Sequence, residues 1–356
     1  MQDNLQNNFF HQIVSLLQEA RLQVVKAVNH TMVYTYFNIG KMIVEEEQNG
    51  KERAEYGKQL LKGLSQRLTE EFGKGFSVVN LENMRKFYNS YSIYETMSSI
   101  SVLDQIPQSL TGVSENEKSQ PLTGDFFKLT WTHYTLLMRI DDVNERNFYE
   151  IESAKNNWSL RELKRQYDSA LYTRLVLSRD KVEVKKLSEK GLIIEKPKDI
   201  IKDPYILEFL GLPEKHSYSE SNLEEEIISK LEHFLLELGN GFTFVARQKR
   251  ITFDDKHFRI DLFFYNRILK CFVLIDLKIG ELKHQDLGQM QMYVNYYDRE
   301  MRLEDENKTI GIVLCQNKSE AVVKYTLPEN NEQIFASKYK TVLPSKEVLE
   351  QLIKEN

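Results

Sequence analysis

Three charged residues stand where charge is expensive. Asp276 and Lys278 lie inside the apolar run 271–279, at i and i+2, so that in a strand they share a face. Asp261 raises the same problem inside Phe258-Arg259-Ile260-Asp261-Leu262-Phe263-Phe264-Tyr265. A lone buried carboxylate costs several kcal/mol, so each needs a partner, a metal or solvent at the strand end. A hairpin closed by residues 267–270, with Asn266 facing Cys271, sets Asp261 directly opposite Asp276, their Cβ atoms about 5 Å apart. Two carboxylates that close repel unless a cation lies between them. An all-oxygen pair is what Mg²⁺ prefers, with its remaining positions left to water and phosphate. The spacing therefore predicts a divalent-metal site.

A third acid comes from the element before these strands. Residues 223–238 read as an amphipathic helix with Leu223, Ile227, Ile228, Leu231, Phe234, Leu235 and Leu238 on one face. Of the adjacent Glu224, Glu225 and Glu226, only Glu224 falls on that face, directed toward the sheet, where it can complete or orient the metal shell. Behind Lys278, Gln289 and Tyr293 sit one turn apart on a helix and can edge the same cleft. Asp276 and Lys278 could simply pair with each other, but that leaves Asp261 and Glu224 converging on the site without a reason. Arg247, Lys249, Arg250, Lys256 and Arg259, on and beside the first two strands, can carry a nucleic-acid backbone or can be an ordinary exposed strand face.

The elements that must hold these residues fall into two halves. From residue 9 to 48 the apolar spacing is helical and reads as a helical pair, followed by a helix over 56–72 that stops at Gly73-Lys74-Gly75. Ser77 is placed to cap the next helix, 78–94, which presents Asn80, Asn83, Arg85 and Lys86. The two helices around a Gly-containing turn are compatible with DNA contact by Arg85 and Lys86 and equally with an ordinary helical corner. Residues 97–125 read as a loop insert, helical pattern returns at 132–140 and 144–157, and Ser159-Leu160-Arg161-Glu162 has the spacing of a capping box opening a helix to about 175. After the helix 223–238 come three strands (242–252, 258–266, 270–279), a helix (285–298), a strand (309–315), a short helix (319–325) and a last strand (333–339). The fold class expected is α + α/β: an all-helical N-terminal domain, residues 1–178, a basic linker, 179–202, an αβββαβ domain with a mixed sheet, 203–344, and a tail, 345–356.

The 356 residues carry 48 Lys and Arg against 53 Asp and Glu, a net charge of −5, which taken whole argues against a polyanionic partner. Locally it does not: between Lys155 and Lys202 there are 13 Lys and Arg against 7 Asp and Glu. That stretch is either a solvated helix and linker or an electrostatic track for phosphates. The two cysteines, Cys271 and Cys315, form neither a disulfide framework nor a zinc pattern, and a reducing cytoplasm fits them. No run approaches the roughly 20 apolar residues needed to span a bilayer, and no basic-then-apolar leader opens the chain, so neither membrane nor export is expected.

Asp261, Asp276-Leu277-Lys278, a helical Glu224 before them and Gln289-x-x-x-Tyr293 after them resemble the PD-(D/E)XK phosphodiesterase superfamily. The stretch LLELGNGFTFVARQKRITFDDKHFRIDLFFYNRILKCFVLIDLKIGELK closely resembles the YhcG-type nucleases within it. YFNIGKMIVEEEQNG, YGKQLLKGLSQRLTEEFGKGFSVVNLENMRKFY and LTWTHYTLLMRI…WSLRELKRQ resemble the helical domain that accompanies that nuclease domain. The resemblance covers nearly the whole chain except 97–125. It implies a bacterial or archaeal protein with a restriction-endonuclease-like fold, DNA as partner, Mg²⁺ or Mn²⁺ as cofactor, and a Gln-x-x-x-Tyr element of the RecB-like kind. The last acid is Asp276 where Glu is common, which keeps the oxygen and shortens its reach by one methylene.

The expectation is metal-dependent phosphodiester hydrolysis, with Asp261, Asp276 and Glu224 as the metal set, Lys278 orienting water or stabilising the transition state, and Gln289 and Tyr293 positioning the strand. Arg247, Lys249, Arg250, Arg85 and Lys86 are the expected DNA contacts, and a homodimer is expected if both strands are cut. The competing class is a nucleic-acid-binding or adaptor protein that keeps the nuclease fold as a scaffold.

Overall fold

The computed structural model describes residues 2–49, 54–103, 127–177, 181–213 and 218–343. The chain divides into two compact units, Met1–Arg146 and Asn147–Asn356.

In the first unit, α1 (Gln2–Asn49), α2 (Ala54–Phe72), α3 (Val78–Leu103) and α4 (Trp131–Leu137) surround a core of Ile43, Leu61, Leu81 and Met84, with Trp131 packed against it. The helical pair expected over 9–48 is one continuous helix, because no Pro interrupts its periodicity and its one glycine, Gly40, is accommodated within it. Gly40 lets α1 and α3 meet backbone to backbone, since a Cβ there would overlap the carbonyl of Met84. Gly73 adopts φ +82° to end α2, and Ser77 Oγ caps α3 by accepting from Asn80 N at 3.3 Å, as the sequence predicts. α3 runs through residues 97–103, the start of the stretch read as a loop; 104–126 lie outside the described residues.

The second unit contains α6 (Leu160–Asp168), α7 (Leu171–Leu177) and α8 (Lys181–Lys190), preceded by α5 (Val143–Asn156), whose first residues belong to the first unit. The capping box at Ser159 and Glu162 is present with both of its hydrogen bonds. The single helix expected to about 175 is broken at Ala170, which sits at φ +50°. A six-stranded mixed sheet follows: β1 (Tyr205–Ile206), β2 (Phe242–Phe253), β3 (Lys256–Asn266), β4 (Cys271–Glu281), β5 (Ile310–Asn317) and β6 (Ile334–Lys340), in the order β1-β6-β5-β4-β3-β2. β2, β3 and β4 run antiparallel, while β4, β5, β6 and β1 are parallel. β1 escaped the sequence because two residues have no periodicity.

One face of the sheet packs Val273, Ile275 and Leu277 on Leu223, Ile227, Phe234 and Leu238 of α9 (Glu220–Ser229) and α10 (Leu231–Leu238). On the other face Leu274 and Val313 meet Leu287, Met290, Tyr293 and Val294 of α11 (His284–Tyr296), next to α12 (Glu320–Thr326). Each fully buried aliphatic contributes about 1.5–3 kcal/mol, so this double-sided burial fixes β4 firmly. Gly311 is required in β5, because a Cβ would overlap the side chain of Met290 and push α11 off the sheet.

The expected helix 223–238 is two helices, broken at Lys230, whose φ of −123° leaves the helical range. Its ammonium bonds the carbonyl of Leu210 at 2.8 Å and pairs with Glu226 at 3.1 Å. The break lets α10 present Glu237, fully buried, to Arg174 at 2.6 Å and Arg165 at 3.0 Å. Lys202 donates to the Glu237 carbonyl, so three cations of the basic stretch 155–202 point inward and are not part of a phosphate track. Burial alone would raise the Glu237 carboxyl, but Arg174, Lys202 and Arg165 together hold it at about 2.

Candidate active site

The site is assembled where the β3–β4 ladder ends and where β2, still paired with β3 on either side, is distorted at Gln248. Asn266 pairs with Cys271 and the register continues to Leu262 opposite Ile275, as the four-residue loop predicts. The next pair would be Asp261 with Asp276, and here the regular ladder stops. Asp261 Oδ2 instead accepts from Leu277 N at 2.8 Å, so a carboxylate takes the place of a backbone rung and is fixed by it.

Asp276 is 2% exposed, and its carboxyl is held above the usual range by burial first and by the neighbouring Asp261 second, against the pull of Lys278. Lys278 Nζ lies 2.9 Å from Asp276 Oδ2 but off the axis of a directed hydrogen bond, so that this buried oxygen has no aligned donor. The pairing that the sequence left open thus exists without satisfying the acid. Lys278 also approaches Glu220 Oε2 at 3.5 Å. Burial would lower its pKa, but Asp276 and Glu220 raise it well above the ordinary lysine value, and the ammonium stays charged.

Ser219 and Asn222 cap α9 reciprocally, which places Glu220 and Glu224 one turn apart along the helix. Glu224 is buried, as its place on the apolar face predicts, and its pKa is raised by burial and by Asp261. It reaches Asp261 through a residue that the sequence reading did not single out. Gln248 Nε2 donates to Glu224 Oε2 at 2.5 Å and to Asp261 Oδ1 at 3.0 Å. Gln248 stands in β2 at φ +48°, in the left-handed region, between the pairs Arg247–Leu262 and Lys249–Ile260. A signal for it existed: Asp254 and Asp255, at φ 43° and 62°, form a two-residue turn whose register sets residue 248 opposite 261. Glu220 carried no such signal, since its side chain meets Lys278 only through the tertiary placement of α9.

Gln289 and Tyr293 meet as their spacing predicts. Gln289 donates to the Tyr293 hydroxyl, which donates to the carbonyl of Arg259 at 3.0 Å. Tyr293 is fully buried, so it props β3 two residues from Asp261, and only Gln289 is partly open to solvent. Arg247, Lys249, Arg250, Lys256 and Arg259 are exposed, and Arg250 lies 2.6 Å from His257 Nε2. In the helical unit Arg85 is engaged with Glu47 at 2.6 Å between α3 and α1, while Lys86 is exposed.

Among the described residues, no three of His, Cys, Asp and Glu stand close enough to hold a metal between them. The fit is nevertheless specific: Asp261 and Asp276 offer hard oxygens at adjacent strands, one of them a buried oxygen without an aligned donor, and Glu224 is tied in through the Gln248 amide.

Comparison with known proteins gives the family of the chain. Residues 198–354 match the YhcG PDDEXK nuclease domain and residues 12–174 the DUF1016 N-terminal domain, so the unit boundary at Arg146 lies inside the second match. The chain is 40% identical, over 95% of its length and 90% of the relative's, to "Putative nuclease YhcG" of Escherichia coli (strain K12). Among solved structures, a repair endonuclease from Pyrococcus abyssi aligns at 19% identity and a TM-score of 0.26, over 37% of this chain and 50% of that one. The EndoMS-dsDNA2 complex aligns at 16% identity and a TM-score of 0.27, over 38% and 51%. A helical N-terminal region, a C-terminal mixed sheet within the PDDEXK-domain match, and near full-length similarity lead to one assignment: the chain belongs to the YhcG family.

Proposed function

We propose that this chain is a divalent-metal-dependent endonuclease that hydrolyses phosphodiester bonds of DNA, acting on branched or otherwise structured substrates. The observation that carries it is the buried pair Asp261–Asp276 with an oxygen lacking an aligned donor, beside a lysine whose ammonium is held charged. Asp261 and Asp276, with Glu224, would hold Mg²⁺ or Mn²⁺, whose chemistry here is Lewis-acid neutralisation of the phosphoryl oxygens and activation of water. Lys278 faces the charge that develops on the transferred phosphoryl group and orients the attacking water by hydrogen bonding. Tyr293 and Gln289 hold β3 at Arg259 so that Asp261 keeps its place through turnover. Arg247, Lys249 and Arg250 carry the phosphate backbone, and Lys86 and the helical unit supply further DNA contact.

Cutting both strands of a duplex calls for two sites and so for a homodimer. The free, buried thiols of Cys271 and Cys315 suit a reducing cytoplasm, and no helix among the described residues is long and apolar enough to cross a membrane. The test is cleavage of linear, nicked, branched and single-stranded DNA with Mg²⁺ or Mn²⁺. Cutting that disappears in Asp276→Ala while DNA binding persists supports the reading. Protein that binds DNA and never cuts, on any of these substrates with either ion, would make the chain a binding or adaptor protein.

A further inference from the structure

We infer that Gln248 belongs to the metal site itself, as a donor lock on the acids when no cation is present and as an additional oxygen ligand when one is. The inference rests on the proposed metal dependence and concerns a residue that the acids and lysine of the motif do not include. Gln248 lies between Glu224 and Asp261, with one amide nitrogen bonded to both carboxylates. Two acids that share a single donor place that NH₂ group where a cation would otherwise balance them.

The backbone conformation points the same way. A non-glycine residue at φ +48° in the middle of a strand costs about 1 kcal/mol or more, and such strain persists only where surrounding structure enforces it. Here β2 carries a register shift at Phe244/Ala246, and the pair that would join Gln248 to Asp261 is replaced by the side-chain bridge. The strand is thus distorted to bring an amide to the acids. A carboxamide has two faces: rotation about its last bond exchanges Nε2 for Oε1 and converts a donor to anions into a hard oxygen ligand. Neither lysine nor arginine could make that exchange, and a glutamate would leave three acids facing one another in the metal-free state.

The test is metal binding measured by calorimetry with Mn²⁺, without DNA, on the full-length protein, its Gln248→Met variant and its Gln248→Glu variant, with thermal unfolding in EDTA as the second readout. Wild-type protein should bind Mn²⁺. Gln248→Met, similar in volume and without either amide atom, should weaken binding at least tenfold. Gln248→Glu should bind at least as tightly as wild type and unfold at a lower temperature than wild type in EDTA. A Gln248→Met variant that binds Mn²⁺ as tightly as wild type overturns the assignment and leaves the metal site standing. Wild-type protein that binds no Mn²⁺ removes the metal site and this inference together. Should Gln248→Met fail to fold, Gln248→Glu decides: Mn²⁺ affinity tenfold below wild type counts against the inference.

Discussion

Replacing Glu237 by alanine removes the acceptor at the centre of the most deeply buried charge network in the second unit. Glu237 and Arg174 are both fully buried, and the carboxylate also accepts from Arg165 at 3.0 Å and from Ile206 N at 3.0 Å. Arg174 keeps the carbonyls of Ser169 and Pro204 as acceptors, at 2.9 and 3.0 Å, but no anion. Leaving a buried charge uncompensated in this way costs about 3–5 kcal/mol. A second route gives a similar figure. The carboxyl is held at about 2 against an ordinary 4.5, and at 1.36 kcal/mol per pH unit that difference amounts to about 3 kcal/mol. Because the folded-state value is the depressed one, this contribution is complete above pH 4.5 and is lost as pH falls toward 2. Urea unfolding followed by the fluorescence of Trp158, buried in this unit, in a Trp131→Phe background, measures both effects. Glu237→Ala should lose about 3–5 kcal/mol at pH 7 and should show a flatter acid limb than its parent. A loss under about 1 kcal/mol, or an unchanged acid limb, would refute the reasoning.

The same network predicts that a fragment starting at residue 198, which lacks Arg165 and Arg174, stays unfolded by circular dichroism where one starting at residue 147 folds. Lys202 is lowered by burial to about 8, so the unfolded chain holds that proton more tightly; stability should rise by up to about 3 kcal/mol between pH 8 and 10.5, and not in Lys202→Met. Asp276→Asn should abolish cleavage while leaving the unfolding temperature in EDTA unchanged or higher; a large drop would show the acid to be structural. Tyr293→Phe strips the donor from the Arg259 carbonyl, costing about 1 kcal/mol of stability and lowering kcat with little change in DNA affinity. Neutralising Arg247, Lys249 or Arg250 should each reduce the slope of log K against log salt by about one for DNA binding; an unchanged slope would remove that residue from the contact.

What the sequence made legible was local. The register that brings Asp261 beside Asp276 follows from one loop length, the inward turn of Glu224 from its neighbours at 227, 228 and 231, and the Gln289–Tyr293 contact from one helical turn. What stayed hidden depended on distant partners. The break at Lys230 has no glycine or proline to announce it; a lysine leaves the helix there with its ammonium on the Leu210 carbonyl. Arg165, Arg174 and Lys202 read as exposed basic residues because nothing nearby in sequence names Glu237 as their anion. Arg85 was likewise spent on Glu47, 38 residues away. Gln248 was missed for another reason: a neutral amide raises no alarm in a strand until its backbone is seen to be left-handed.

The sheet ends on one side in β1, two residues long, and on the other in β2, twelve residues long with no strand on its outer edge among the described residues. A long open edge is a template for another strand, and proteins guard such edges with short length, charge or a kink. Brevity protects β1, whereas β2 relies on Arg247, Lys249 and Arg250 and on its irregular backbone. The cations proposed to grip DNA therefore also keep copies of this protein from adding to one another as a continuous ribbon. Removing all three charges to abolish DNA binding would expose the chain to fibrillar assembly, a cost that substitutions at the acidic site do not carry.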